Sequence, residues 1–227
     1  FLTKISDPDG FFNVPTDSLG RGVGRTRGTN YSIYDIWQDE ADDIRNSNYN
    51  FQREFYYTNP NSPYFGQLTE PRTVAEDTLR SQFPYPKKVL GEPWAQNSGS
   101  GRTAKDIYVY RLAETYLLRA EAYLRNEEPQ LAADDINVVR ARANANPVAS
   151  SDVTLDYILD ERARELMYET PRRRTLIRMG KLVERVRQYS ILESARTSIQ
   201  DYHGLWPIPQ EAIDANQGAE LQQNPGY

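Results

Sequence analysis

The chain has 227 residues, a formal net charge of −5, 38% hydrophobic residues and no cysteine. An acidic chain without a one-sided basic patch is not expected to bind nucleic acid, and the lack of cysteine excludes thiol catalysis, cysteine-ligated zinc and disulfides. No apolar run approaches the ~20 residues of a transmembrane helix. The chain opens Phe1-Leu2-Thr3-Lys4, without an initiator Met or a signal peptide, so we expect that Phe1 is not a natural start.

Residues 1–106 are rich in turn-forming residues, with nine of the thirteen glycines and eight of the fourteen prolines. Within them the pattern predicts one helix from Tyr31 to Arg45, with Ile36 and Trp37 on its apolar side, and one strand from Phe51 to Tyr57. Loops this long usually lie over other structure or carry function. We therefore predict that residues 1–106 form a loop-rich, aromatic-bearing segment packed on a helical frame.

Residues 107–227 have a helical pattern instead. Apolar residues recur at helical spacing from Val109 to Leu124, and Pro129 suits the first turn of a second helix. Ser151, Asp152 and Thr154 are competent N-caps for a third helix. Further helices are predicted from Pro171 to Val186, near 191–199 and near 210–215, so this region is predicted to be all-α.

Residues 107–144 resemble a degenerate tetratricopeptide unit. The large and small residues that the repeat requires stand on both helices: Tyr116, Ala120 and Tyr123 on the first, Ala132, Ile136 and Val139 on the second. One helical hairpin leaves apolar faces uncovered, since about three repeats are normally needed for a stable stack. We expect these faces to be covered by the third and fourth helices, by repeats upstream of Phe1, or by both.

The residues that could carry catalysis have simpler structural interpretations. His203 is the only histidine, and no Gly-x-Ser-x-Gly motif accompanies it. Glu161 and Glu165 lie four residues apart on one helix face, whereas a glycosidase needs two acids across a cleft. Arginines such as Arg162 and Arg164 stand beside them, so ion pairs are the expected role. The sequence predicts no enzyme.

The sequence predicts no cofactor, and two acidic segments leave calcium binding as a minor alternative. Asp7-Pro8-Asp9-Gly10 begins like a calcium loop, but its glycine comes too early for an EF-hand. Asp39, Glu40, Asp42 and Asp43 form a dense cluster that is more typical of a solvated helix end.

Aromatic side chains on loops are the expected ligand contacts, since flat rings suit sugars and apolar peptide groups alike. We predict Trp94, Tyr85 and Tyr64 in the proline-rich stretch and Tyr31 after the glycine-rich one as ligand-binding residues. Trp37 and Trp206 are expected in the core instead.

Several short sequence segments, taken in their order along the chain, resemble the SusD/RagB family. These segments are Asp43-Ile44-Arg45-Asn46-Ser47, Arg111-Leu112-Ala113-Glu114-Thr115-Tyr116, Ile158-Leu159-Asp160-Glu161-Arg162, Leu176-Ile177-Arg178, Leu205-Trp206-Pro207-Ile208-Pro209 and Gln223-Asn224-Pro225-Gly226-Tyr227. Thr170-Pro171 and Thr175 depart from the family pattern in a turn region.

The resemblance implies a non-catalytic, tetratricopeptide-like α–α superhelix with a long loop-rich region. It also implies a lipoprotein at the surface of the outer membrane, whose N-terminal lipid anchor has no counterpart here. Such a protein captures oligosaccharides, as in polysaccharide utilisation, or peptides in the RagB-like branch, and its partner is a TonB-dependent transporter of the SusC/RagA type. A protein-protein interaction module without a small ligand is the remaining alternative.

Overall fold

A computed structural model of the protein describes residues 26–57, 59–68, 83–91 and 103–227. These residues form mainly α-helices, as predicted. In chain order the helices are α1 (Asn30–Ile33), α2 (Leu112–Arg125), α3 (Pro129–Arg142), α4 (Leu155–Leu166), α5 (Arg172–Arg178), α6 (Leu182–Tyr189), α7 (Glu193–Ser198) and α8 (Gln210–Ala215). Two short strands, β1 (Phe51–Gln52) and β2 (Tyr85–Pro86), pair antiparallel with Phe51 opposite Pro86.

Helices α2 and α3 form the predicted helical hairpin. Ala120 of α2 and Ala132 and Ile136 of α3 are fully buried, and the two small alanine side chains let the helices approach closely. The predicted helical hairpin is therefore present, and its assignment as a tetratricopeptide-like unit stays a prediction. Its first helix begins later than predicted, since residues 107–111 are not helical and Leu112 is the first helical residue.

Helix α4 covers one side of this hairpin and packs against both α2 and α3. The Thr154 side chain caps it by accepting a hydrogen bond from the backbone N–H of Tyr157 at 3.0 Å, as expected for an N-cap. Its apolar residues Ile158, Leu159 and Leu166 are buried. This arrangement agrees with the expectation that the third helix covers the hairpin.

The single helix predicted from Tyr31 to Arg45 is wrong. The structure has the four-residue helix α1 and two separate 3-10 turns in this stretch, Asp35–Trp37 and Ile44–Asn46. The Ile44 backbone N–H donates to Ala143 at the end of α3 at 2.9 Å, so a tertiary hydrogen bond replaces a helical one. The strand predicted to reach Tyr57 is likewise limited to β1.

The chain divides into two compact units, one ending at Thr170 and the other comprising Pro171–Tyr227. In the second unit the helix predicted from Pro171 to Val186 is two helices, because α5 ends at Arg178 and Gly180 follows its cap. Gly180 has φ +70°, and the next N–H, of Lys181, donates to Leu176 at 2.8 Å. This is the Schellman pattern, in which a left-handed glycine ends a helix.

The two tryptophans expected in the core behave differently. Trp37 is buried and its indole N–H donates to the Ser32 carbonyl at 3.0 Å, which confirms the expectation for it. Trp206 is 67% exposed, so the prediction for it is wrong. Among the helices that the structure describes, none has the length and apolar character needed to cross a bilayer.

Candidate ligand-binding site

A short loop presents several of the exposed aromatic rings. We call it the Tyr64 loop and define it as residues 56, 57 and 59–68. Tyr56 and Leu68 form an antiparallel bridge at its two ends, and Tyr57 donates its N–H to Gln67 at 3.0 Å. Gly66, at φ +77°, supplies a left-handed conformation that other residues rarely adopt. The loop is therefore closed by its own backbone hydrogen bonds.

The rings of this loop form a platform that faces solvent. The Tyr57 and Tyr64 ring centroids lie 5.3 Å apart with a 37° tilt, which is a favourable aromatic contact. Tyr64 is 47% exposed and Phe65 is 58% exposed. Among the described residues the Tyr64 hydroxyl has no hydrogen-bond partner, so it can donate to a ligand.

A buried aromatic cluster supports the loop. Phe55, Phe83 and Tyr85 are its core, and Tyr57 packs against it. The Phe55 and Tyr85 centroids are 6.3 Å apart, and burial raises the pKa of the Tyr85 hydroxyl to about 12. Tyr57 thus links the buried cluster to the exposed Tyr64, which holds the platform in place.

The four predicted ligand-binding residues fall in different surroundings. Tyr64 stands on the exposed platform. Tyr85 is buried in the supporting cluster, and Tyr31 is buried with its hydroxyl donating to Asp160 of α4; both side chains serve packing in this structure. Trp94 lies outside the described residues. Direct ligand contact remains a prediction for all four, and Tyr64 is the exposed one among the three that the structure describes.

A network of ion pairs attaches the loop-rich segment to the helices. Arg45 donates from Nη1 to Glu161 and to Glu165 of α4, each at 2.8 Å, and from Nη2 to Asp43 at 2.6 Å. The side chains of Asp43, Glu161 and Glu165 are almost fully buried. Charges this deep need partners, because an unpaired buried carboxylate is very costly.

The same acids also bind arginines of the hairpin. Arg140 of α3 bridges Glu161 at 2.8 Å and Glu40 at 2.7 Å. Arg142, at the end of α3, and Arg111, just before α2, both donate to Glu165. The network thus joins α3, α4 and the segment around Arg45 into one connected set of charge-assisted hydrogen bonds.

A further acid, Glu169, extends the network toward β2. Glu169 accepts from Arg111 and pairs with Lys88 at 2.7 Å. Burial works to raise the pKa of Glu169, but these two cations outweigh it and hold that pKa below its ordinary value. Burial lowers the pKa of Lys88. The ionised carboxylate is therefore the favoured form of Glu169.

A cleft of about 370 Å³ lies beside this network. Its walls combine apolar and cationic side chains, among them Trp37, Phe51, Tyr108, Lys88, Arg111 and Arg142. The three cations are already paired with Glu165 or Glu169. We assign the cleft to the network, because a ligand there would have to displace these ion pairs.

The residues considered for catalysis and metal binding have other partners. Glu161 and Glu165 pair with arginines, and the ring Nδ1 of His203 accepts the backbone N–H of Gln200 at 2.8 Å. Glu40 and Asp43 of the acidic cluster pair with Arg140 and Arg45. Across the described part of the chain, no three acids or histidines are grouped as a metal site. Residues 7–10 lie outside it.

The sequence did not reveal most partners of the two glutamates. Of the neighbouring arginines, Arg164 pairs with Glu161 at 3.0 Å, whereas Arg162 pairs with Glu114 at 3.1 Å. The remaining partners come from more distant positions in the chain. One signal in the sequence could have predicted such partners. Glu161 and Glu165 lie four residues apart on the apolar side of α4, so both are expected to be buried, and buried carboxylates require cationic partners.

Comparison with known proteins places the chain in a family. The model of the SusD family matches residues 18–227. The starch-binding protein SusD of Bacteroides thetaiotaomicron is 38% identical over 124 residues, which is 54% of this chain and 22% of that protein. The SusD-like protein P25 of Formosa agariphila is 34% identical over 141 residues, 59% of this chain and 27% of that protein.

Solved structures share the fold. Surface glycan-binding protein A from Bacteroides fluxus is matched with a TM-score of 0.56 at 22% identity, over 100% of this chain and 44% of that one. A SusD homologue from Bacteroides thetaiotaomicron is matched with a TM-score of 0.54 at 20% identity, over 96% and 51%. The chain spans about half or less of these relatives, and the match over residues 18–227 shows that it belongs to the SusD family.

Proposed function

We propose that the chain is part of a non-catalytic binding protein that captures an oligosaccharide for nutrient uptake. Membership of the SusD family supports the proposal, as do relatives that are named for starch and glycan binding. The observation that carries it is the Tyr64 loop, a solvent-facing aromatic platform fixed on a buried base. A platform that is rigid before binding loses little conformational entropy when a sugar stacks on it.

A binding role without hydrolysis fits the chemistry of the acids. Hydrolysis of a glycosidic bond needs one protonated acid and one free carboxylate on opposite sides of the bond. Glu161 and Glu165 lie on the same helix, and arginines occupy both carboxylates. Arginine pairing also holds the pKa of Glu161 low despite its burial, which opposes the role of proton donor.

We further propose delivery to a TonB-dependent transporter of the SusC/RagA type, from a position at the outer-membrane surface held by an N-terminal lipid anchor. The support is the family resemblance alone. Co-purification of the full-length protein with its transporter, with and without saccharide, tests the partnership. Failure to co-purify under both conditions would contradict it.

Calorimetry with matched tyrosine variants tests the platform. We expect Tyr64→Ala to weaken binding of the preferred saccharide about two- to tenfold, since an aromatic contact contributes about 0.5–1.5 kcal/mol. The ligands are maltoheptaose, cellohexaose, xylohexaose and a set of oligopeptides. Tyr49→Ala is the control, because Tyr49 is 85% exposed and lies outside the Tyr64 loop.

The outcomes separate the candidate functions. Equal affinities for Tyr64→Ala and Tyr49→Ala would remove the platform from the proposal. Binding of peptides but of no saccharide would favour the RagB-like alternative. Exposed apolar residues at 107–110 favour a protein-docking role as a second candidate, and it would gain support if neither class of small ligand bound.

A further inference from the structure

The exposed Trp206 belongs to a segment that its neighbours hold rigidly. The side chain of Gln223 binds both backbone groups of Ile208, accepting from its N–H at 2.7 Å and donating to its carbonyl at 2.8 Å. Asn224 donates to the Trp206 carbonyl at 2.7 Å, and the Tyr227 hydroxyl donates to the Leu205 carbonyl at 3.1 Å. The end of the chain therefore fixes residues 205–208 through backbone contacts that do not involve the indole.

One face of the indole is braced by a cation. The guanidinium carbon of Arg173 lies 4.9 Å from the Trp206 ring centroid, within the range of a cation–π contact. Arg173 is itself anchored, because its Nη2 donates to the His203 carbonyl at 2.7 Å. With 67% of Trp206 exposed, the opposite face and the edge of the ring are open to solvent.

The indole N–H of Trp206 is also available. Within the part of the chain that the structure describes, it donates to no protein group, whereas the buried Trp37 uses its N–H on the Ser32 carbonyl. A tryptophan kept for packing usually satisfies this donor. An open ring face with a free donor at its edge matches a sugar, whose C–H face can stack while a hydroxyl accepts the hydrogen bond.

We propose that Trp206 is a saccharide-stacking subsite in the second unit, with Arg173 as its positioning residue. The ligand is one pyranose unit of an oligosaccharide, so the inference rests on the proposed function. The size of the feature favours a sugar over a protein. One indole braced on one face by Arg173 matches a single sugar ring, whereas a stable protein interface covers about 800 Å² on each partner.

Nuclear magnetic resonance of the indole N–H groups in the 227-residue chain tests the subsite. Maltoheptaose, cellohexaose and xylohexaose are titrated separately, and the Trp206 signal is assigned by its loss in Trp206→Phe. We expect the Trp206 signal to move with a saccharide that binds, while the Trp37 signal stays in place. Saccharide binding with an unmoved Trp206 signal would overturn the inference and leave the Tyr64 platform intact.

Affinities of matched variants give the second readout. We expect Trp206→Ala to weaken binding about tenfold and Trp206→Phe, which keeps a stacking ring, to weaken it less. Arg173→Gln should weaken binding about threefold and Arg173→Lys should restore part of the loss, since lysine keeps a cation over the ring. Arg174→Gln, an equal charge change at the next exposed position of α5, is the control.

The outcomes distinguish this inference from the proposed function. Wild-type saccharide affinity in Trp206→Ala, together with weakened affinity in Tyr64→Ala, would contradict the Trp206 subsite and leave the proposed function intact. Equal losses of saccharide affinity in Arg173→Gln and Arg174→Gln would show a general effect of charge and would contradict the positioning role of Arg173. Binding of none of the three saccharides to the wild-type chain would contradict both proposals.

Discussion

Glu161 shows what keeps a carboxylate ionised in the interior of this protein. Its side chain is fully buried, yet it accepts hydrogen bonds from Arg45 and Arg140 at 2.8 Å and from Arg164 at 3.0 Å. Burial alone would raise its pKa, but the three cations lower it below the ordinary value. The acid and its arginines therefore depend on one another, since loss of the acid leaves three buried cations short of a partner.

Replacing this acid tests that dependence. We expect Glu161→Gln to destabilise the protein by about 3–5 kcal/mol, because breaking a buried ion pair strands its partners. Urea unfolding measures the change without adding salt. Glu184→Gln is the control: Glu184 pairs with Lys181 at 3.0 Å and its side chain is 55% exposed, so its change should stay within about 0.5 kcal/mol. Similar losses in both variants would contradict the expectation.

The low pKa values of Glu161 and Glu169 predict how stability depends on pH. A depressed pKa in the folded state contributes stability that is complete above the unfolded value, here 4.5, and is lost as pH falls through the folded value. We therefore expect the free energy of unfolding in urea to decline as pH falls below about 4.5. The decline should be shallower in Glu161→Gln, and parallel curves for the two proteins would contradict this assignment.

Sequence reasoning identified these glutamates but not most of their partners. A pattern read along one helix favours neighbours three or four residues away, and Arg164 is such a neighbour. The fold brings Arg45 and Arg140 to Glu161 from distant positions in the chain, so no local spacing in the sequence predicts these two ion pairs. Position in a proline-rich stretch did not separate the tyrosines either, because Tyr64 is exposed whereas Tyr85, between two prolines, is buried.

At the scale of elements, the hairpin of α2 and α3 was predictable because its signal is periodic and local. Small residues at Ala120 and Ala132 mark the helix contact, and both are fully buried. The stretch from Tyr31 to Arg45 was not predictable in the same way. Its apolar spacing suits a helix, but the tertiary hydrogen bond from Ile44 to Ala143 and the local bond from the Arg45 N–H to the Asp43 side chain compete with helical hydrogen bonds and interrupt it.

A larger side chain at the hairpin contact should overpack it. We expect Ala120→Leu to destabilise the protein by about 1–3 kcal/mol, since added methylenes in a close-packed interior force side chains and backbone to shift. Thermal and urea unfolding measure the effect. Ala122→Leu is the control, because Ala122 lies on the exposed side of the same helix. An unchanged midpoint for Ala120→Leu would mean that α2 and α3 are not paired as described.

At the scale of the whole molecule, the ordered sequence segments that resemble the SusD/RagB family predicted the fold class and the family. The boundary between the two compact units at Thr170 had no signal in the composition. The change in composition near Asp106 separates loops from helices, but packing and ion pairs join the described residues on both sides of it. An exposed apolar stretch at Ile107, Tyr108, Val109 and Tyr110 was also unexpected, because Val109 fits the helical period of α2 but the chain is not helical there.

This apolar stretch predicts self-association of the 227-residue chain. Ile107 is 86% exposed and Val109 is 74% exposed, and exposed apolar patches of this kind promote association. We expect sedimentation equilibrium to show reversible association at tens of micromolar, and the Ile107→Glu, Val109→Glu pair to reduce it. The same change at Ile191 and Leu192, also exposed, is the control. A monomer at every concentration would contradict the prediction.

The ion pairs of Arg45 also have a consequence for biosynthesis. Its partners Glu161 and Glu165 lie 116 and 120 residues further along the chain. At about 5–20 residues per second, the ribosome delivers them on the order of ten seconds after Arg45. Contacts so distant also form slowly during folding. The charge of Arg45 therefore cannot be paired with these buried acids until α4, which is translated long after it, is available.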